Sequence, residues 1–344
     1  MTRHRGSRGH VSWRARRGTV VWAATVAVVA VGVLWCRPAE ADEVAEGRAL
    51  VARAVQVSGL KTTAERPVRL RGRVELFGMM RGKTVGQYTL QVGGPGLWWD
   101  MLRFTDWSEM HGTAGNQRWR KRSVANKPLR MYQALHTIDL SWHLRPPAGI
   151  SITSVSEKKG APCVSVERPD GRRGELCFDP ATGMLASAEY DSPKEFFTFE
   201  GSVSAGGLRY PKVLRCVSGA EPAVQMDVEE LVPDAVTGAK AFAAPEGAET
   251  WPACDAAEPP VPVVQKTTAR NPVYTRARRI YGTVMGYAEI DMHGYVQELV
   301  TVEARHGVLM KTVQEVTSTW RYQPAKCNGL PMPFETVVRV KFMP

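Results

Sequence analysis

Cysteine and histidine carry the most versatile side-chain chemistry in this chain, and their spacing limits what they can do. Downstream of residue 41 there are five cysteines, Cys163, Cys177, Cys216, Cys254 and Cys327. The segment CVSVERPDGRRGELCF places Cys163 and Cys177 almost symmetrically about Asp170-Gly171, so a hairpin pivoting there would face the two thiols across its ladder and allow a disulfide. Cys216 with Cys254 is the second expected pair, and Cys254 with Cys327 stands as its alternative. An odd count leaves one cysteine over or paired between chains. The five histidines of the same region, His111, His136, His143, His293 and His306, are not spaced with Asp, Glu or Cys as metal ligands are, and are expected to be structural or solvated. His-Glu-x-x-His, Cys-x-x-Cys, Gly-x-Ser-x-Gly and phosphate-binding glycine loops are all absent. The expectation is a protein that is not an enzyme and uses no metal or cofactor.

Trp98, Trp99, Phe104, Trp107 and Trp119 make a dense aromatic stretch. Ordinary packing of a sheet against a helix accounts for it, while the sharper reading is a cavity for an apolar ligand or lipid. The basic run RWRKRSVANK (118–127) reads as a solvated hairpin, and no nucleic-acid partner is expected. The formal charge of +11 is unevenly spread: seven arginines and one acid, Glu40, fall in residues 1–41, eleven bases and six acids fall in 260–344, and 42–259 is neutral. The surplus at the start belongs to an export leader. Arginines precede the uncharged run 18–36, and Ala39-Glu40-Ala41 is a small-x-small cleavage site. Nineteen uncharged residues also approach the roughly 20 that span a bilayer, so a cleaved signal peptide and a retained inner-membrane anchor both stay open. On either reading the remainder of the chain is exported.

The elements that would hold these residues are mostly strands. DEVAEGRALVARAVQVSG reads as a helix with Val44, Val51 and Val55 on one stripe and a stop at Ser58-Gly59. VRLRGRVEL then alternates apolar and charged residues as a half-buried antiparallel strand does. Similar runs continue to residue 246, interrupted by one helical pattern, PLRMYQALHTIDLSWHL. Residues 247–268, rich in Pro, Ala and Thr, read as a linker. The last segment, 269–344, reads strand (282–290), turn, strand (295–304), helix with Leu309, Val313, Val316 and Trp320 on one face, and strand (336–342). The predicted fold class is α+β: a leader helix, a large antiparallel half-barrel-like sheet over 42–246 with one or two helices, and a small antiparallel sheet covered by a helix.

Taken in order, NPVYTRARRIYGTVMGYAEIDMHGYVQELVTV and STWRYQPAKCNGLPMPFETVVRVKF resemble the C-terminal domain of the TonB family of energy transducers. Pro272, Tyr274 and Arg276 fall at the family's Pro-x-Tyr start and basic turn. Gly282, Val284, Ile290, Asp291 and Gly294 fall in its first hairpin; Trp320, Arg321, Tyr322 and Pro324 end its helix. Asn328, Gly329 and Pro331 make its next turn, and Phe342 ends its last strand. The resemblance implies a binding role in transport across the outer membrane, in which a sheet edge pairs with a short peptide of an outer-membrane receptor or another envelope protein. It implies Pro272, Tyr274, Arg276, Val338, Val340 and Phe342 as partner contacts, and Gly282, Asp291, Gly294, Trp320, Pro324, Asn328 and Gly329 as structural positions. Two features depart from the family: Thr275 follows Tyr274 where Pro is usual, and the run 18–36 lacks the Ser and His of energy-coupling anchors.

The 42–246 segment is similar, in layout and in the turns FDPATG (178–183) and GGLRYPKVL (206–214), to periplasmic lipoprotein-carrier half-barrels of the LolA and LolB type. That implies an apolar ligand or a lipidated partner. The expected function is a cell-envelope binding or transducing protein, with a periplasmic carrier or sensor of lipid or lipoprotein as the alternative.

Overall fold

Alternation along strand β1, Val68–Met79, sets the plan of the larger sheet. Val68, Leu70, Val74 and Leu76 are buried while Arg71 and Arg73 stay exposed, as a strand with one wet face requires. The computed structural model describes residues 38–79, 82–124, 127–144, 150–168, 171–253, 261–265, 273–304 and 306–343. The apolar run 18–36, Cys254 and Pro272 lie outside these residues. Among the described residues no helix is long and apolar enough to cross a membrane.

β1 is followed by hairpin partners β2 (Gly82–Gly94), β3 (Leu97–Arg103), β4 (Ser108–Ala114) and β5 (Gln117–Arg122). After two helices the chain returns as β6 (Ser151–Lys158), β7 (Ala161–Glu167), β8 (Arg173–Phe178), β9 (Leu185–Asp191) and β10 (Lys194–Glu200). A small hairpin of β11 (Val203–Ala205) and β12 (Leu208–Tyr210) leads to β13 (Val213–Ser218) and β14 (Glu221–Pro233), and β15 (Glu249–Pro252) comes last. Because β14 pairs with β1, both halves merge into one 13-stranded antiparallel sheet ordered β15-β5-β4-β3-β2-β1-β14-β13-β10-β9-β8-β7-β6.

Helices α1 (Pro38–Ser58) and α2 (Leu60–Thr63) give Ala54 and Leu60 to the core of this sheet. The second helical pattern breaks at Asp139 into α3 (Leu129–Ile138) and α4 (Leu140–Leu144). Met131, Ala134 and Ile138 of α3 enter the same core, yet Tyr132, Gln133, His136 and Thr137 are buried as well. A helix buried all round has a second layer on its far side.

That layer is the C-terminal module. It begins with β16 (Val261–Gln265) and α5 (Val273–Ala277), then β17 (Gly282–Ile290), β18 (Val296–Ala304) and α6 (Gly307–Thr317). β19 (Arg321–Gln323), the hairpin β20 (Ala325–Cys327) and β21 (Leu330–Met332), and β22 (Phe334–Phe342) complete it. The sheet is ordered β18-β17-β22. Its core joins Val284, Ala288, Ile290, Leu309, Val313 and Trp320 to Val338, Val340 and Phe342. Residues from Glu43 to the C-terminus, half-barrel and module together, form one compact unit.

Two expectations are corrected. The segment 247–268, read as a linker, carries β15 and β16, which pair with β5 and β19. β15 needs no periodicity of its own because β5 holds it, with Arg120 meeting Glu249 at 2.7 Å. The pair Cys216–Cys254 is not formed, since β13 turns Cys216 into the sheet core as a buried free thiol. Cys163 and Cys177 are direct cross-strand neighbours on β7 and β8 and are joined by a disulfide. Closing a loop of 14 residues contributes about 3 kcal/mol in the chain-entropy account. Cys327 is also disulfide-bonded; its sulfur lies 3.6 Å from the carbonyl oxygen of Ala253.

Candidate functional site

β22 is an edge strand, hydrogen-bonded to β17 and to no other described strand. The residues implied as partner contacts do not gather on it as surface side chains. Val338, Val340 and Phe342 are 2%, 9% and 4% exposed and pack against α6 and Trp320. They place the strand, and only its backbone edge is left to meet a partner. Strand alternation puts Val337, Arg339 and Lys341 on the opposite face, where Arg339 and Lys341 are exposed. Tyr274 is 52% exposed with the Arg278 guanidinium 4.4 Å over its ring, and Arg276 is exposed. Thr275, standing where Pro is usual, is fully buried.

The structural positions have local causes. Asp291 accepts hydrogen bonds from the backbone N–H groups of His293 and Tyr295, at 2.8 and 2.9 Å, and so closes the β17–β18 turn. Gly294 in that turn has φ +84, and a Cβ there would lie 2.0 Å from the carbonyl oxygen of Tyr322. Trp320 fills the module core after α6 ends, and Pro324 separates β19 from β20. Asn328 and Gly329, with φ of 51 and 80, form the two-residue turn of the β20–β21 hairpin. Gly282 opens β17 opposite Phe342.

On the face of the module away from α6 lies a feature that the sequence did not disclose. Glu298 is the cross-strand neighbour of Glu289, and Glu289 is the cross-strand neighbour of Glu335, so three glutamates form one row across β18, β17 and β22. The half-barrel answers them with cations. Glu289 meets Arg120 at 2.5 Å and Arg122 at 2.6 Å; Glu335 meets Lys127 at 3.1 Å and His136 at 3.0 Å. Glu298 accepts from the backbone N–H of Lys127 at 2.9 Å. Beside them the Tyr287 ring stacks on Tyr132 at 5.6 Å, and its hydroxyl donates to Glu195. Behind the cations sits Glu109, fully buried, in contact with Arg122, Lys127 and His111.

The run 118–127, expected to be a solvated hairpin, is therefore half committed to buried ion pairs. Burial alone would raise the carboxyl pKa of Glu335, but Lys127 and His136 overcome this and hold it well below the usual carboxylate range. Glu109 is held low against burial by Lys127, His111 and Arg122. Burial pushes His136 down and Glu298 up. For His111, burial is outweighed by Glu109 and Asp100, which raise it. Alternation gave no local signal of this network, because Glu289 and Glu335 fall on the strand faces opposite the apolar residues Ala288, Ile290, Val338 and Val340.

Two cavities share Lys61, Tyr88, Ile138 and Asp139 in their linings, and one of them reaches the network. One, of about 140 Å³, lies where Lys61, Arg120, Lys127 and His136 of the half-barrel meet Glu335. The other, of about 40 Å³, is apolar and lined by Val55, Leu60, Leu90, Leu140, Leu144 and Tyr210. The aromatic stretch does not line it: Trp98, Phe104, Trp107 and Trp119 are buried, and the Trp119 indole donates to the carbonyl of Phe242 at 2.9 Å. Among the described residues one trio, Cys163, Glu175 and Cys177, brings metal-ligand types together. Its two sulfurs are joined to each other and cannot serve as thiolates.

No curated protein matches this sequence. Among solved structures, a LolA superfamily protein from Nitrosomonas europaea is 8% identical, with a TM-score of 0.42, over 58% of this chain and 97% of its own. A DUF1329 family protein from Desulfovibrio piger is 11% identical, with a TM-score of 0.42, over 58% of this chain and 97% of its own. The model of the family described as Gram-negative bacterial TonB protein C-terminal matches residues 270–344, which are the residues that build the β22 edge and the glutamate row.

Proposed function

We propose that this chain is an exported cell-envelope protein, without catalysis of its own, whose C-terminal module binds an extended peptide of an outer-membrane partner by adding it as a strand beside β22. The observation that carries this is β22 itself: an edge strand paired on one side, in the segment that matches the TonB C-terminal family. Free N–H and C=O groups along such an edge pair with an extended chain, and neighbouring side chains select among sequences. Arg339 and Lys341, both exposed, favour a peptide carrying acidic residues. The leader would put the module on the periplasmic side, and would hold it at the inner membrane if it is retained. Titrating isotope-labelled 43–344 with peptides from the periplasmic ends of outer-membrane receptors should shift the amide signals of 334–342. Peptide binding that leaves those amides unmoved, or no binding at all, would end this reading.

A second reading, a carrier of lipid or lipoprotein, draws on the apolar cavity under α1, α2 and α4. At about 40 Å³ it has room for little more than one or two water-sized groups, so an acyl chain would enter only as those helices move off the sheet. Native mass spectrometry of 43–344 incubated with phospholipid or a lipidated peptide should then reveal a one-to-one adduct. An adduct-free spectrum with both ligands would remove the carrier.

A further inference from the structure

We infer that the glutamate row is a releasable latch: Glu298, Glu289 and Glu335 hold the module against the half-barrel's Arg120, Arg122, Lys127 and His136, and their release frees the whole length of β22 to accept a strand. This rests on the reading of β22 as the binding edge and adds what regulates it.

The row makes little sense for the module alone. Like charges directly opposed on neighbouring strands destabilise a sheet, and here two such oppositions share Glu289. Only a cationic surface makes the arrangement favourable, and the half-barrel supplies one. Ion pairs, hydrogen bonds and the Tyr132–Tyr287 stack bridge the two layers. Polar contacts of this kind suit an interface that opens, since each charge regains water on separation, whereas apolar area would not.

The latch sits at the start of β22. Glu335 is its second residue, and it and Val337 on the same face are half-buried, while Arg339 and Lys341 further along that face are exposed. Docked, the strand is pinned at one end. An incoming peptide then meets the distal part freely and the proximal part only when Glu335 leaves Lys127 and His136.

Acidity is a poor lever on this latch because its groups pull in opposite directions. Glu335, held low by Lys127 and His136 against its burial, favours docking above the ordinary carboxylate range and loses that contribution as pH falls toward its depressed value. His136, also held low, weakens docking as pH drops below the ordinary histidine range. Glu298, raised by burial, acts the other way, while Glu109 and His111 keep their partners within the half-barrel in either state. Around these lie Arg120, Arg122 and Lys127, Tyr132, and Glu195 beside Tyr287. Charge substitution is the cleaner probe.

In 43–344, Glu289→Gln with Glu335→Gln should speed hydrogen exchange of the α3 amides by at least about tenfold and tighten peptide binding by a similar factor. Protection at Ala288 and Val313, in the module core, should persist. Glu298→Gln is the opposing test. It keeps an acceptor for the Lys127 N–H and removes one like charge from the row, so it should slow exchange in α3 and weaken peptide binding. A double variant that leaves α3 exchange unchanged, or a Glu298→Gln variant that accelerates it, overturns the latch. Should the double variant unfold the module, the sign of the Glu298→Gln effect decides. Peptide binding equal in all variants also overturns it, whereas an absence of peptide binding in every variant counts against β22 as the edge and leaves the exchange result to judge the latch.

Discussion

Replacing Glu109 with alanine should lower the unfolding free energy of 43–344 by about 3–5 kcal/mol. The carboxylate has no exposed surface and lies 3.2 Å from the Lys127 ammonium, 2.9 Å from Arg122 and 2.6 Å from His111. Its removal strands buried cations, and the cost is that of the charges left behind more than that of the bonds lost. A signature in pH follows. In the natural chain the depressed Glu109 contributes stability that is fully present above the ordinary carboxylate pKa and fades as pH falls below it. His111, raised chiefly by Glu109, contributes below the ordinary histidine pKa and fades as pH rises through its elevated value. The variant loses the first contribution and part of the second, since Asp100 still faces His111 at 3.3 Å. Its urea midpoint should respond less to pH below about 4.3, the ordinary Glu value, and the His111 ring protons should titrate at lower pH by NMR. A loss under 1 kcal/mol with the His111 titration unmoved would show that water reaches Glu109 and that the pocket is not dry.

Gly294→Ala is the second large effect, confined to the C-terminal module. The backbone at Gly294 has φ +84, and the added carbon would meet the Tyr322 carbonyl oxygen at 2.0 Å. The contact cannot be relieved by a side-chain rotation, because both partners are main chain; Tyr322 N–H also donates to the Gly294 carbonyl at 2.9 Å. Adding about 1–2 kcal/mol for the left-handed conformation to about 1–3 kcal/mol for the forced displacement gives roughly 2–5 kcal/mol. Hydrogen exchange should locate the loss in β17, β18 and β19 and spare β1 to β14. Uniform loss across both layers would mean that module and half-barrel unfold as one cooperative unit.

How much of this could be read from the residues differs between the two layers. In the module, apolar alternation, the Asp291–Gly294 turn and the Leu309–Val313 stripe are local patterns in their expected elements, whereas Trp320, read as part of the helical stripe, follows the end of α6 and still enters the same core. The same alternation also places Val338, Val340 and Phe342 inside, against their assignment as contacts. Their family positions describe where the strand runs, not which atoms it offers. The glutamate row was out of reach because Glu289, Glu298 and Glu335 become neighbours only through two strand registers. The burial of Arg120, Arg122 and Lys127 comes from strands more than 150 residues away in the chain. Locally, RWRKRSVANK has the composition of a solvent-facing turn. Cys216 was misassigned for a similar reason: which face of β13 it occupies depends on pairing with β10 and β14.

The pairing of β17 with β22 has a mechanical side. Nine consecutive rungs run from Gly282 opposite Phe342 to Ile290 opposite Phe334, and in an antiparallel ladder the hydrogen bonds stand perpendicular to the strands. Tension drawn along β22 is carried by all the rungs together, as shear, while a force lifting its Phe342 end sideways would break them one at a time. A strand lying beside β22 pulls in the first of these directions, so the module is stiffest along the line on which such a partner would load it.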